Sequence, residues 1–367
     1  MDHEFLGNSG IGMLPGLLLP WYDRTRRRLP WREEIVPYHT WLSEIMLQQT
    51  RVEAVLPYYH RFLKELPDIF SLANASEEQI HKLWEGLGYY SRVRNMQKAA
   101  RVICQEYGGQ LPSEEQALKK LPGIGDYTAG AIASIAFGQP APAVDGNVLR
   151  VLSRFLAFGE DVMLPAVRRW FQDVVRMILP PDRPGDFNQA LMELGAMVCL
   201  PNGAPLCGKC PLNGCCRGKE QGNPEAYPVK SPKKARKLLP RTVIFFCWKD
   251  RLFFNKRPEK GLLARLWEPF SLEGHFSDVE LLTVLERRGI FPLILRPLGT
   301  ARHIFTHLEW EMQGYWAQVE KMTPLLETGK WISWDQLKET HTVPSAFRPF
   351  MKKLKKEDFT DAIRPSV

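Results

Sequence analysis

The chain has 367 residues, with 49 Lys and Arg against 41 Asp and Glu, a formal charge of +8 and a pI near 9.1. That length allows two domains, and the positive balance favours a polyanionic partner. The one short apolar run near the start, Met13 to Leu19, follows Asp2 and Glu4 and leads straight into charges, so it reads as neither signal peptide nor membrane span. Basic residues come in clusters: Arg24, Arg26, Arg27, Arg28 and Arg32; then Lys230, Lys233, Lys234, Arg236 and Lys237; then Lys352, Lys353, Lys355 and Lys356. Only the first lies in a segment expected to pack.

From Leu14 to about Cys216 apolar residues recur every three and four positions, with interruptions expected at Pro57, Pro67, Pro112, Pro122, Pro140 and Pro181. Helices are predicted over 40–55, 77–87, 92–107, 114–120, 127–136, 147–157, 164–178 and 187–198, an all-α unit. In the first of these, Glu44, Gln48 and Arg51 share a polar face, where Glu44 reads as a solvated or ion-paired side chain. The run Lys119-Lys120-Leu121-Pro122-Gly123-Ile124-Gly125 reads as a helix-hairpin-helix. Gly123 and Gly125 would allow positive φ in a tight turn, so that free N–H groups at the next helix start face a phosphate without reading base sequence. Asp145, in Val144-Asp145-Gly146-Asn147, reads as a helix N-cap. A carboxylate there is held ionised by the helix dipole, as stabilising a cation requires.

Cys199, Cys207, Cys210 and Cys216 have seven, two and five intervening residues. Four thiolates so spaced can close around a zinc ion or a [4Fe-4S] cluster, and the single C-x2-C pair favours the cluster. Cys215 is the alternative to Cys216 as fourth ligand, and Cys104 and Cys247 read as core thiols. Clustered thiols without an export signal point to a reducing compartment. Between Gly222 and Pro240 proline and lysine dominate, as in an extended charged linker. Beyond it, residues 242–248 and 251–255 read as strands around a turn at Lys249-Asp250. A second strand pair is predicted at 304–308 and 313–319, with a helix at 279–288, making this part α+β.

Several segments together resemble the MutY-type adenine DNA glycosylases of the endonuclease III superfamily. They are Leu29-Pro30-Trp31-Arg32, Ser43-Glu44-Ile45-Met46-Leu47-Gln48-Gln49-Thr50-Arg51, Gly86-Leu87-Gly88-Tyr89-Tyr90-Ser91-Arg92, the hairpin, Val144-Asp145-Gly146-Asn147 and the cysteine loop. The resemblance covers nearly the whole chain. It implies a helix-hairpin-helix glycosylase domain over 1–221 with a [4Fe-4S] loop at 199–216, a linker over 222–240, and a Nudix-like domain for 8-oxoguanine recognition over 241–365. The implied activity is removal of adenine mispaired with 8-oxoguanine or guanine in double-stranded DNA, by a monomeric bacterial protein of the cytoplasm, associated with the nucleoid.

The target base must be flipped into a pocket, with Leu87, Gly88 and Tyr89 resembling the family's wedge. Glu44 matches the general acid and base, its pKa raised by burial against Trp31 and Leu47. Asp145 faces the oxocarbenium-like sugar, as counter-charge or through a transient covalent bond. Asn147 and Tyr127 match residues that orient this centre, and Arg27, Arg32, Gln49, Thr50 and Gln189 match the pocket and its DNA rim. Phe305-Thr306-His307 stands where the family carries Phe-Ser-His; threonine keeps the hydroxyl on a stiffer side chain. Gly261 to Glu268 resembles the Nudix core motif, but 269–290 lacks the clustered glutamates that bind magnesium, so no pyrophosphohydrolase activity is expected.

Tyr127 and the whole C-terminal domain separate this reading from its strongest rival. Strand-cutting relatives carry a Schiff-base lysine where this chain has Tyr127, which offers no amine, so a monofunctional glycosylase is expected rather than an endonuclease III-like lyase acting on oxidised pyrimidines. A noncatalytic iron-sulfur DNA-binding protein would leave Glu44 and Asp145 as a solvated charge and a cap. The first cysteine gap, seven residues against the family's usual six, places its extra residue in the turn Pro201 to Pro205.

Overall fold

A computed structural model describes residues 10–232, 235–320, 326 and 329–354. Asp2 and Glu4, Lys233 and Lys234, Lys355 and Lys356, and the expected domain end at 365 lie outside the described residues. The chain divides into two compact units, one of residues 1–74 and 95–232, the other of residues 75–94 and 233–367.

The first unit is helical. In chain order run α1 (Leu14–Thr25), α2 (Pro30–Glu33), α3 (Pro37–Leu47), α4 (Val52–Glu65) and α5 (Ile69–Asn74). After α6 (Glu77–Leu83) in the second unit, α7 (Ser91–Glu106) leads back, followed by α8 (Glu115–Leu118), α9 (Asp126–Phe137), α10 (Gly146–Leu156), α11 (Pro165–Ile178), α12 (Pro184–Met197) and α13 (Arg217–Glu220). Proline opens α2, α3, α11 and α12, where its fixed φ suits the first turn and its missing N–H costs nothing. Two expectations fail here. Pro57 lies inside α4, which buries Val55, Tyr59 and Phe62 and is held by that packing. The predicted helix over 40–55 is two helices, because Gln49 adopts a left-handed φ of 58° and breaks the chain between Leu47 and Val52.

The core gathers around α10. Its Val148, Leu152 and Phe155 pack with Phe171 and Val174 of α11 and with Phe187, Leu191 and Leu194 of α12. Each fully buried side chain of this kind contributes about 1.5–3 kcal/mol. A Cβ at Gly195 of α12 would lie 2.6 Å from Cβ of Asn147, so glycine there lets α12 press against the start of α10.

In the second unit the strands are β1 (Lys237–Trp248), β2 (Arg251–Lys256), β3 (Trp267–Glu268) and β4 (Phe270–Glu273), then α14 (Asp278–Glu286), β5 (Pro292–Ile304), β6 (Leu308–Val319) and β7 (Lys330–Ser333), followed by α15 (Trp334–Glu339) and α16 (Arg348–Met351). The sheet is mixed, in the order β3-β2-β1-β6-β5, with β4 paired to β1 and β7 to β2. β1 runs parallel to β6 and antiparallel to β2, with Cys247 opposite Leu252 across the expected turn. Alternation along β1 gives each face its own core: Val243, Phe245 and Cys247 meet Phe347 and Phe350, while Ile244 and Phe246 meet Leu281 and Leu285 of α14.

The second strand pair differs from expectation. β5 is far longer and ends at Ile304, so Phe305 to His307 form the connection and not a strand. β5 is largely exposed, which hides its alternation. β1 begins at Lys237, inside the stretch read as linker. Among the described residues no helix is long and apolar enough to cross a membrane.

Candidate active site

The first unit holds a cleft of about 1130 Å³. Glu44 reaches it from α3, Tyr127 from the first turn of α9, Asp145 as N-cap of α10, and Asn147 from the first turn of α10. Glu44 is only 6% exposed, so it is not on a solvated face. Its Oε2 accepts a hydrogen bond from the Tyr127 hydroxyl at 2.5 Å. Burial is the main influence on Glu44, pushing its pKa up to about 7; the Tyr127 hydrogen bond and Arg32 pull it down, while Asp145 pushes it further up. A carboxyl near neutrality beside a second carboxyl is suited to general acid and base work.

Asp145 is held rigidly. Its Oδ1 accepts from the Asn147 and Val148 N–H groups, both at 2.8 Å, and its Oδ2 from Asn147 Nδ2 at 2.7 Å. The expected cap is present, but the helix terminus is not the larger effect. Burial raises the Asp145 pKa above the ordinary carboxylate value, and the cap N–H groups and Arg150 offset it only in part. Asn147 is fixed in turn, its Oδ1 accepting from Arg150 Nη2 at 2.8 Å, while Arg150 also donates to the Gly195 and Cys199 carbonyls at 2.7 and 2.8 Å.

The other predicted residues divide between the units. Arg27, Trp31, Arg32, Gln49, Thr50 and Gln189 line the cleft, as do Gly123 and Gly125 of the hairpin. Only Gly123 has positive φ, 80°; Gly125 has a φ of −95° and a ψ of −176°, extended backbone open to any residue. A Cβ at Gly125 would meet nothing within 4 Å, so neither backbone angle nor space requires glycine there. Lys119 of the hairpin run is tied to Glu115 at 2.6 Å and Asp126 at 2.9 Å.

Leu87, Gly88, Tyr89, Phe305, Thr306 and His307 belong to the second unit. Leu87 is buried, whereas Tyr89 is 49% exposed and has a positive φ of 46°. The Tyr89 and Thr306 hydroxyls lie 3.2 Å apart, and Phe305 packs edge-on against Trp310 while Thr306 and His307 are exposed.

The cysteine loop closes on α10. Cys199, Cys207, Cys210 and Cys216 line one small cavity together with Arg154, whose Nη1 donates to Cys199 Sγ at 3.3 Å. Burial pushes the Cys210 thiol up, and Cys199, Cys216 and Cys207 are near enough to add to it; Cys215 responds to burial alone and points to the Leu212 carbonyl. Among the described residues no three His, Cys, Asp or Glu side chains form a cage for a single metal ion. Four soft thiols around one cavity fit a polynuclear thiolate centre, with Cys216 as the fourth.

Sequence reasoning missed Met192 and Glu193, and it missed Arg168, Arg169 and Gln172 of α11, all of which line the cleft. The signal for the first two was available, since Met192 and Glu193 follow Gln189 by three and four residues along one face of α12.

A family model for HhH-GPD superfamily base excision DNA repair proteins matches residues 42–175, and one for the NUDIX domain matches residues 242–353. The chain is 38% identical to the adenine DNA glycosylase of Rattus norvegicus, covering 92% of this chain and 77% of the relative. It is 32% identical to the adenine DNA glycosylase of Buchnera aphidicola subsp. Baizongia pistaciae, covering 92% and 96%. Among solved structures, a thermostable thymine-DNA glycosylase is similar with a TM-score of 0.53 and 28% identity, over 59% of this chain and 99% of its own.

Proposed function

The chain belongs to the adenine DNA glycosylases, base excision repair enzymes that hydrolyse N-glycosyl bonds, and on that premise we propose that its substrate is adenine opposite 8-oxoguanine or guanine in duplex DNA. The observation that carries the reading is the buried pair of Glu44 and Tyr127, 2.5 Å apart, in the same cleft as Asp145. The flipped adenine enters this cleft, at a cost of about a few kcal/mol in unstacking. Glu44 gives its proton to a ring nitrogen, the C1′–N bond breaks with its electron pair leaving on the base, and Asp145 balances the positive sugar as counter-charge or by a transient covalent bond. Water then adds at C1′ and returns a proton to Glu44, leaving free adenine and an abasic site. Tyr127 carries no amine, so the strand stays intact.

The opposite base is read by the second unit. Supporting this is the approach of Tyr89, the proposed wedge, to Thr306 of the Phe305-Thr306-His307 turn. Cys199, Cys207, Cys210 and Cys216 hold a [4Fe-4S] cluster, which when bound ties the loop 199–216 into a folded unit; Arg154 supplies a cation to Cys199. The helix-hairpin-helix holds the DNA backbone. The protein acts as a monomer in the bacterial cytoplasm, associated with the nucleoid, and the working domains are 1–221 and 241–365.

The test is single-turnover excision on duplexes carrying adenine opposite 8-oxoguanine, guanine, cytosine or thymine, with and without alkali. Excision opposite 8-oxoguanine and guanine, with strand breaks only after alkali, is expected. Thr306→Ala should narrow the preference for 8-oxoguanine over guanine by roughly fivefold, the worth of about one hydrogen bond, while Thr306→Ser keeps it. Equal rates for all four opposite bases, or alkali-independent cleavage, would refute the reading.

A further inference from the structure

A buried charge cluster at the cleft has no place in the steps above. Glu193, on α12, has a side chain only 1% exposed. Its carboxylate accepts from Arg27 at Nε, 3.0 Å, and at Nη2, 2.5 Å, and from Arg32 Nη2 at 3.0 Å; the Arg27 backbone N–H adds a contact at 3.4 Å. The two guanidiniums are further linked, since Arg32 Nη1 donates to the Arg27 carbonyl at 3.4 Å. Two cations thus share one buried anion, which leaves the trio a net positive charge at the cleft wall. Removing one partner of such a buried group exposes the remaining charge at full strength.

Among the described residues, Arg32 is the cation whose charge bears on Glu44. The charged and titratable groups facing Glu44 are Tyr127 from α9, Asp145 from the cap of α10 and Arg32 from α2. Those facing Glu193 are Arg27 and Arg32, and Arg27 is additionally influenced by Glu53. The neighbour of Glu193 on α12, Met192, takes a contact from the Tyr127 hydroxyl at 3.7 Å, so the helix carrying Glu193 also touches the acid's hydrogen-bond partner.

We propose that Glu193 is a positioning residue of the excision site, fixing Arg27 and Arg32 at the cleft wall and compensating their charge beside the acid Glu44. This rests on the reading of Glu44 as the general acid. It follows that Glu193 acts through Arg32 and never touches the reacting atoms. With Glu193 neutralised, Arg32 would stabilise the Glu44 carboxylate and strip the acid of its proton at neutral pH, an opposite charge nearby favouring the ionised form.

The experiment is the pH profile of single-turnover excision, roughly pH 5 to 9, with full-length protein on a duplex carrying adenine opposite 8-oxoguanine. In the wild type the rate falls on the alkaline side as Glu44 loses its proton. Glu193→Gln should move that limb down by about one unit, with a loss of about tenfold in rate above it, and Glu193→Asp should leave the limb in place. Adding Arg32→Met to Glu193→Gln should bring the limb back, a rescue that a purely structural role would not give. Should Glu193→Gln not fold, Arg32→Met alone carries the test and should move the limb upward. A limb that stays put in folded Glu193→Gln, or that the second substitution does not restore, or that fails to rise in Arg32→Met, overturns the proposal. Glu44→Gln separates the two levels: if it remains active, the reading of the acid fails; if it is inactive while the limb is unmoved in Glu193→Gln, the role of Glu193 alone fails.

Discussion

Replacing Glu44 by Gln should abolish excision and stabilise the protein at the same time. In the fold the Glu44 carboxyl is raised from 4.5 to about 7, burial being the first cause. Between those two values the folded chain holds a proton that the unfolded chain has released, so stability falls as pH rises through the interval and stays low above it. The interval corresponds to about 3 kcal/mol, which the wild type forgoes above neutral pH. Glutamine has no charge to lose, and its amide oxygen can still accept from the Tyr127 hydroxyl. At about 2–4 °C per kcal/mol for a unit of this size, the variant should melt roughly 6–12 °C above wild type in mildly alkaline buffer, with the difference vanishing near the ordinary carboxyl value. Single-turnover excision should fall on the order of 10²–10⁴-fold, the usual worth of a general acid. Thermal melting at two pH values and the excision rate decide it. An equal or lower melting temperature in alkali would mean that Glu44 carries no raised proton, and more than about a tenth of the wild-type rate would remove it from catalysis.

Three further outcomes follow from the same geometry. Asp145→Asn keeps the Oδ1 cap to Asn147 and Val148 but sets an amide nitrogen against Asn147 Nδ2. Melting should therefore drop by the equivalent of about 1–3 kcal/mol, with a rate loss on the order of 10²–10³ from the missing charge; a rate within tenfold of wild type would show Asp145 to be a cap alone. Tyr127→Lys should confer strand cleavage and a borohydride-trapped adduct with DNA, and a folded variant that traps nothing would refute the placement of Tyr127 beside the sugar. Cys216→Ser should lose iron on purification while Cys215→Ser retains it, because Cys216 lines the thiol cavity and Cys215 turns to the Leu212 carbonyl; the reverse result would exchange their roles.

Features set by neighbours in the chain are legible in the sequence, and those set by contacts across the fold are not. The strand pair meeting at Lys249-Asp250 is local, and alternation with a turn was enough to find it. So was the hairpin, although residue type alone assigned positive φ to Gly125 as well as Gly123. The break at Gln49 was hidden, since Gln-Gln-Thr-Arg contains no helix breaker and the left-handed residue is not glycine. β5 was hidden for another reason. It is an edge strand with many exposed positions, so burial alternation, the signal that sequence reading depends on, is weak there.

The two carboxylates show the same limit in sharper form. By local pattern Glu44 belonged to a polar helix face and Asp145 to a helix cap, and only the second description survives. Glu44 is 6% exposed and lines the cleft together with Ser43 and Leu47 of α3. Once both groups are inside, their hydrogen bonds divide the labour. Asp145 accepts three N–H bonds, all of which favour its anion, whereas Glu44 accepts one hydroxyl, and the charge of Asp145 pushes the proton of the pair onto Glu44. Two side chains of the same chemistry are thereby set in different hydrogen-bonding environments, although burial raises both. No spacing rule along the chain encodes that, because the donors to Asp145 are two and three residues away while the groups acting on Glu44 come from α2, α9 and the cap of α10.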